Sequence, residues 1–114
     1  MITVAGIKSC DTCRKALSWL EEQGIAHEFH DLRADGLDAK RLAAWIDELG
    51  WETLLNRRST TWRQLPEADK VGLNDKKAAK LIAANPTLIK RPVFETSQAT
   101  HVGFTDHVKK ALKK

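Results

Sequence analysis

Residues 2–13 read Ile2-Thr3-Val4-Ala5-Gly6-Ile7-Lys8-Ser9-Cys10-Asp11-Thr12-Cys13, and how they are parsed decides the fold. Ile2 to Ala5 is a short β-prone run closed by Gly6, which predicts a strand. From Asp11 to Gln23, Cys13, Ala16, Leu17 and Leu20 recur at i, i+3, i+4 and i+7. That spacing is one apolar face of a helix, and Gly24 is its natural stop. Two cysteines spaced Cys-x-x-Cys therefore sit where a strand hands over to a helix.

Working outward, Ala26 to Leu32 predicts a half-buried strand carrying Phe29 and Leu32, and Asp35-Gly36 predicts a turn. Leu42, Trp45, Ile46 and Leu49 repeat the helical spacing, with Asp38 as N-cap and Gly50 as stop. Trp51 to Pro86 contains no strand pattern; Asn74 or Asp75 caps a helix that runs through Leu81 and Ile82 to the Asn85-Pro86 break. Pro92 to Glu95 and Thr100 to Phe104 then predict two short strands around a Ser97-Gln98 turn, and Thr105 or Asp106 caps a final basic helix. The order is β-α-β-α, a helical insert at about 51–86, then β-β-α. It predicts one α/β domain over residues 1–114: a small mixed sheet flanked by helices, in a thioredoxin-like arrangement.

At 114 residues, 42% hydrophobic and 30% charged, the chain has the balance of an ordinary globular domain. The longest unbroken apolar run is Leu42 to Ile46, far short of the roughly 18 residues that span a bilayer. No basic leader precedes the apolar start, so the expected compartment is the cytoplasm, with no membrane partner. Nineteen Lys and Arg against fifteen Asp and Glu give a net charge of +4, and Lys109, Lys110, Lys113 and Lys114 account for the whole excess. A basic helix end suits the helix dipole. No aromatic residue interleaves with these lysines along the sequence, so nucleic acid is not an expected partner.

The cysteine pair carries the chemistry. The thiolate is the reactive form, and an unperturbed cysteine has a pKa of about 8.5. At a helix N-terminus Cys10 faces unpaired backbone N–H groups and the positive end of the dipole. A dipole contribution of up to ~1 kcal/mol is smaller than the ~1.4 kcal/mol that one pKa unit represents. Hydrogen bonds from backbone N–H groups or the Cys13 thiol must therefore add to it; Lys8, Arg14 and Lys15 are expected to help, and Asp11 to oppose. Cys13, on the apolar face, is less exposed. Cys10 is thus the attacking cysteine and Cys13 the resolving one, unless Cys13 protects Cys10 from over-oxidation or only fills core space. A metal site built with His27 and His30 fails on geometry. A zinc finger places its histidines on a helix, whereas His27 and His30 fall on a strand and point to opposite faces, so no metal is expected.

Gly6-Ile7-Lys8-Ser9-Cys10-Asp11-Thr12, taken with Ile89-Lys90-Arg91-Pro92-Val93, resembles the arsenate reductase-like family of thioredoxin-fold proteins, which includes arsenate reductases, Spx regulators and the YffB group. Glu48-Leu49-Gly50-Trp51-Glu52, Leu54-Leu55-Asn56 and Thr60-Thr61-Trp62-Arg63 are most similar to the YffB group. The resemblance implies that Cys10 is the nucleophile, that Arg91 binds an oxyanion or a glutathione adduct, and that Pro92 is a cis-proline beside the active cysteine. Arg57 and Arg58 compete for a second arginine position, Arg58 being preferred; with Asp11 and Thr12 these residues form the implied substrate or glutathione site. Planar guanidinium groups can hold a carboxylate or oxyanion bidentately. Phe104 falls where arsenate reductases place a third oxyanion-binding arginine, so arsenate is not the expected natural substrate. What the resemblance implies is a cytoplasmic, glutathione-dependent thiol-disulfide oxidoreductase without a tightly bound cofactor, served by glutaredoxin or acting on a disulfide-bearing substrate. The alternative is an Spx-like redox-sensing regulator that binds RNA polymerase.

Overall fold

The computed structural model describes residues 1–113; Lys114, counted above in the basic C-terminal cluster, lies outside the described residues. The elements run β1 (Ile2–Gly6), α1 (Asp11–Glu22), β2 (His27–Asp31), α2 (Ala39–Leu49), α3 (Trp51–Leu54), α4 (Thr60–Gln64), α5 (Glu67–Lys70), α6 (Asp75–Ala84), a 3-10 turn (Pro86–Leu88), β3 (Val93–Glu95), β4 (Thr100–Val102) and α7 (Asp106–Leu112). The chain divides into two compact units. One is formed by residues 1–35 with the chain from residue 91 on, the other by residues 36–90.

The first unit is built on a four-stranded mixed sheet in the order β2-β1-β3-β4. β1 runs parallel to β2, Ile2 facing His27 and Gly6 facing Asp31, and antiparallel to β3, Val4 facing Phe94 and Ala5 facing Val93. β3 and β4 form the antiparallel hairpin. As a central strand β1 is covered on both faces, with Val4 and Ala5 fully buried, which is why it reads as an apolar run and not as an alternation. Ile2, Val4, Ala16, Leu20, Phe94, Val108 and Leu112 form one core, so α1 and α7 both pack on this sheet. Each fully buried large side chain there, such as Leu20 or Phe94, contributes about 1.5–3 kcal/mol. The face of α1 predicted by spacing is the one buried: Cys13, Ala16 and Leu20 are inaccessible.

In the second unit Leu42, Trp45 and Ile46 of α2 and Ala78 and Ile82 of α6 are buried. An extended stretch around Leu55 pairs antiparallel with Ile89. The Lys90 N–H donates to the Leu54 carbonyl and the Asn56 N–H to the Leu88 carbonyl, each at 2.7 Å. Side-chain caps settle where α2, α6 and α7 begin. The Lys40 N–H donates to Asp38 Oδ1 at 3.2 Å, the Lys77 N–H to Asn74 Oδ1 at 2.8 Å and, in the first unit, the Val108 N–H to Thr105 Oγ1 at 3.2 Å. Asp75 and Asp106 are therefore first-turn residues, where their charge suits the dipole.

Strand ends differ from the sequence expectation. Pro92 precedes β3 because its nitrogen carries no hydrogen for the ladder, and Gly103 and Phe104 follow β4 because Gly103 turns at φ 86°. β2 loses Ala26 and Leu32 from its ends. The polar stretch after Arg57, without an apolar period, folds as the short helices α4 and α5. No helix among the described residues is long and apolar enough to cross a membrane.

Candidate active site

The site is assembled on the first unit, at the end of β1. The Cys10 N–H donates to the Ile7 carbonyl at 3.0 Å, closing the loop after β1, and the Arg14 N–H donates to the Cys10 carbonyl at 3.0 Å, opening α1. Cys10 is thus the N-cap residue, with extended backbone (φ −81°, ψ 120°) and a half-exposed side chain, whereas Cys13, one turn on, is fully buried; both are free thiols. The Arg91–Pro92 peptide bond is cis, and Pro92 is buried. Continuing the β1–β3 register one step beyond Ala5–Val93 places Pro92 across from Gly6.

Partial burial pushes the Cys10 thiol up, but the Cys13 backbone N–H, the Cys13 thiol and the Arg91 guanidinium all favour the thiolate and together hold it below its ordinary value. Burial, reinforced by the neighbouring Cys10 charge, pushes the Cys13 thiol up to about 12, although the Ile7 backbone and Arg91 act the other way. Two thiols one turn apart are thereby driven in opposite directions by their surroundings. The cation that favours the Cys10 thiolate is Arg91, not the sequence neighbours Lys8, Arg14 and Lys15. Arg14 is taken by Asp11, with which it forms an exposed ion pair. Of the remaining residues proposed for ligand binding, Asp11 and Thr12 lie exposed on the first turn of α1. Arg58 belongs to the second unit, where its N–H donates to Asn56 Oδ1 at 3.0 Å. Arg57, its competitor, holds its guanidinium 5.7 Å from the Trp51 ring centroid.

Two residues unassigned by the sequence reading shape the site. A Cβ on Gly6 would lie 2.5 Å from Cys13 Sγ and 3.3 Å from Cys13 Cβ, so β1 admits the buried thiol only because Gly6 has no side chain. Gly6→Ala is expected to cost about 1–3 kcal/mol in a urea titration. Combined with Cys13→Ala, it should cost at least about 1 kcal/mol less than the two single changes summed. Simple additivity would show that the two side chains do not meet. The second residue is Asp31, beside Gly6 in the sheet. Its Oδ1 accepts the N–H groups of Arg33 at 2.8 Å and Ala34 at 3.1 Å. The Ala34 N–H leads in holding its carboxyl below the ordinary value, followed by Arg33 and by the backbone and charge of Lys8. Asp31 thereby ties the β2 end to the loop that carries Cys10.

Although no aromatic residue interleaves with the C-terminal lysines along the sequence, the fold brings two rings against them. Lys109 Nζ lies 4.6 Å from the centroid of Phe104 and Lys113 Nζ 5.9 Å from that of Trp19. The interleaving is spatial and has no counterpart in local sequence.

The chain as a whole is similar to known proteins. The chain superposes on a solved YffB protein with a TM-score of 0.94 at 45% identity, over the full length of both chains. It is 48% identical to an uncharacterized protein of Haemophilus influenzae, covering 93% of each. It is also 31% identical to the global transcriptional regulator Spx of Streptococcus agalactiae, covering 93% of this chain and 78% of that one. With the ArsC family model matching residues 5–112 in addition, the chain belongs to the ArsC family, the arsenate reductase-like branch of the thioredoxin fold.

Proposed function

We propose that this protein is a cytoplasmic thiol-disulfide oxidoreductase that uses glutathione as its thiol co-substrate and holds no tightly bound cofactor. The observation that carries the reading is the Cys10 sulfur at a helix N-terminus, favoured as thiolate by Cys13 and Arg91. The Cys10 thiolate attacks the glutathione sulfur of a mixed disulfide between glutathione and the substrate. A Cys10–sulfur bond forms, the substrate S–S bond breaks, and the departing sulfur leaves as a thiolate that takes a proton from water. Arg91, whose guanidinium can pair with a carboxylate, holds the anionic part of the mixed disulfide. A second glutathione thiolate then attacks the glutathione sulfur held on Cys10. A new S–S bond forms as the Cys10–sulfur bond breaks, and Cys10 is released as thiolate with glutathione disulfide as the oxidised product.

Cys13 is poorly suited to the release step. A thiol pushed up to about 12 is ionised in only roughly one molecule in 10⁵ at neutral pH. Once Cys10 is in a mixed disulfide its charge no longer raises Cys13, but the burial remains. Cys13→Ser, which keeps a hydrogen-bond donor beside Cys10, is therefore expected to retain at least about half of the glutathione-dependent turnover of hydroxyethyl disulfide. A tenfold or larger loss would assign release to Cys13, and no glutathione-dependent turnover by the native chain would overturn the reading.

A second reading rests on the similarity to Spx: the Cys10–Cys13 pair as a redox switch that alters affinity for RNA polymerase. Capture of RNA polymerase by the reduced and oxidised chain decides it. Equal capture, or none, removes it.

A further inference from the structure

The row Cys10, Arg14, Ser18, Glu22 advances by four residues at each step, so it runs along one side of α1 starting at the reactive sulfur. Beside it Arg14, Lys15, Ser18, Trp19, Glu22 and Phe104 line a groove of about 400 Å³. Its floor is aromatic: the Trp19 and Phe104 centroids are 5.8 Å apart, edge to face at 70°. Both rings are half-buried, so each is anchored in the core and still presents a surface. Lys109 and Lys113 lie against these two rings. Two of the cations are engaged with acids, Arg14 with Asp11 and Lys109 with Asp106 at 4.0 Å. Lys15, exposed near the Cys10 end, has no side-chain partner among the described residues. Glu22 closes the far end.

We propose that this groove docks the polypeptide of a protein–glutathione mixed disulfide while Cys10 attacks the glutathione sulfur and the protein cysteine leaves, selecting an aromatic or aliphatic side chain flanked by a carboxylate that faces Lys15. The inference rests on the oxidoreductase reading and adds to it the substrate class. The dimensions agree: Arg14 is about 6 Å of helix from Cys10, and Arg14 to Glu22 is about 12 Å, the length of three or four extended residues. The charges agree as well. Lys15 and Glu22 give the groove opposite ends, which suits a peptide with one carboxylate placed near Cys10. A continuous phosphate backbone would meet Glu22, so the groove fits a peptide better than a nucleic acid. The chemistry adds nothing to the steps above: Cys10 takes the glutathione sulfur, the peptide cysteine leaves as a thiolate that takes a proton from water, and a second glutathione frees Cys10 as glutathione disulfide.

The test uses the full chain with short peptides whose single cysteine is joined by a disulfide to glutathione. One peptide flanks the cysteine with Phe and Glu, a second with Ala and Lys, and hydroxyethyl disulfide gives each variant its own reference. The ratio of kcat/KM for the Phe-Glu peptide to that for the Ala-Lys peptide is expected to be about fivefold to tenfold in the native chain, shrinking at high salt. Lys15→Glu is expected to invert that ratio, and Trp19→Ala to bring it near one. Because Trp19 also packs in the core, the exposed Lys15 variant is the deciding one. Equal rates for both peptides with hydroxyethyl disulfide still reduced would overturn the docking proposal and leave the oxidoreductase reading standing. A ratio unmoved by Lys15→Glu, or quenching of tryptophan fluorescence by a single-stranded oligonucleotide and not by the Phe-Glu peptide, would also overturn it. Loss of turnover on every disulfide would remove both readings.

Discussion

Cys10→Ser is expected to lower glutathione-dependent disulfide turnover by about a thousandfold or more while leaving the fold intact. The substitution exchanges sulfur for oxygen at an N-cap position where serine is a favoured residue, so α1 should start as well as before or slightly better. What is lost is the nucleophile. A hydroxyl does not ionise at neutral pH, and the hydrogen bonds and charge gathered around residue 10 cannot make it do so. The helix content and denaturation midpoint of the variant should match the native chain. Turnover within about tenfold of native by that folded variant would show that another group does the chemistry.

Arg91→Met is expected to slow the reaction at neutral pH by about tenfold to a hundredfold. A hydrogen bond to a charged partner is worth about 1.5–3 kcal/mol, and about 1.4 kcal/mol is a factor of ten in the thiolate population. The sign follows from the direction of the Cys10 shift. Because Arg91 favours the thiolate, its removal raises the pKa, so activity begins to fall at a higher pH as the solution is acidified. Above that range the thiol ionises without help, and most of the lost rate should return. A deficit that persisted unchanged at high pH would mean that Arg91 serves only to hold the substrate. Both roles together give a partial recovery with a raised KM for glutathione disulfides.

The sequence carried much of this arrangement, though unevenly. The Cys10 environment was legible because its elements are local. A strand, a glycine, a short loop and an apolar helical period can all be read within twenty residues, and the N-cap position follows from them. Arg91 was legible only through the resemblance, since no rule of spacing joins residue 91 to residue 10; the sheet does, by pairing β3 with β1. Lys8, Arg14 and Lys15 were favoured because they are near in sequence, but a neighbour one turn along can be captured by a closer acid, as Arg14 is by Asp11.

Gly6 read simply as the end of a strand. Its requirement comes from Cys13 Sγ arriving from a different element, which is visible only when helix and sheet are docked. α3, α4 and α5 are too short, at four or five residues, to show a period of 3.6 twice, so pattern reading had nothing to count. The caps at Asn74 and Thr105 were each narrowed to two residues by type, and only the observed hydrogen bonds chose between them.

The most direct measurement is the rate of alkylation of Cys10 by iodoacetamide across pH, in the native chain and in Arg91→Met. Cys13 is fully buried and does not compete for the reagent. An inflection below the ordinary cysteine value of about 8.5 is expected in the native chain, moved upward in the variant. A native inflection at or above about 8.5, unchanged when Arg91 is replaced, would contradict the claim that this site holds an activated thiolate.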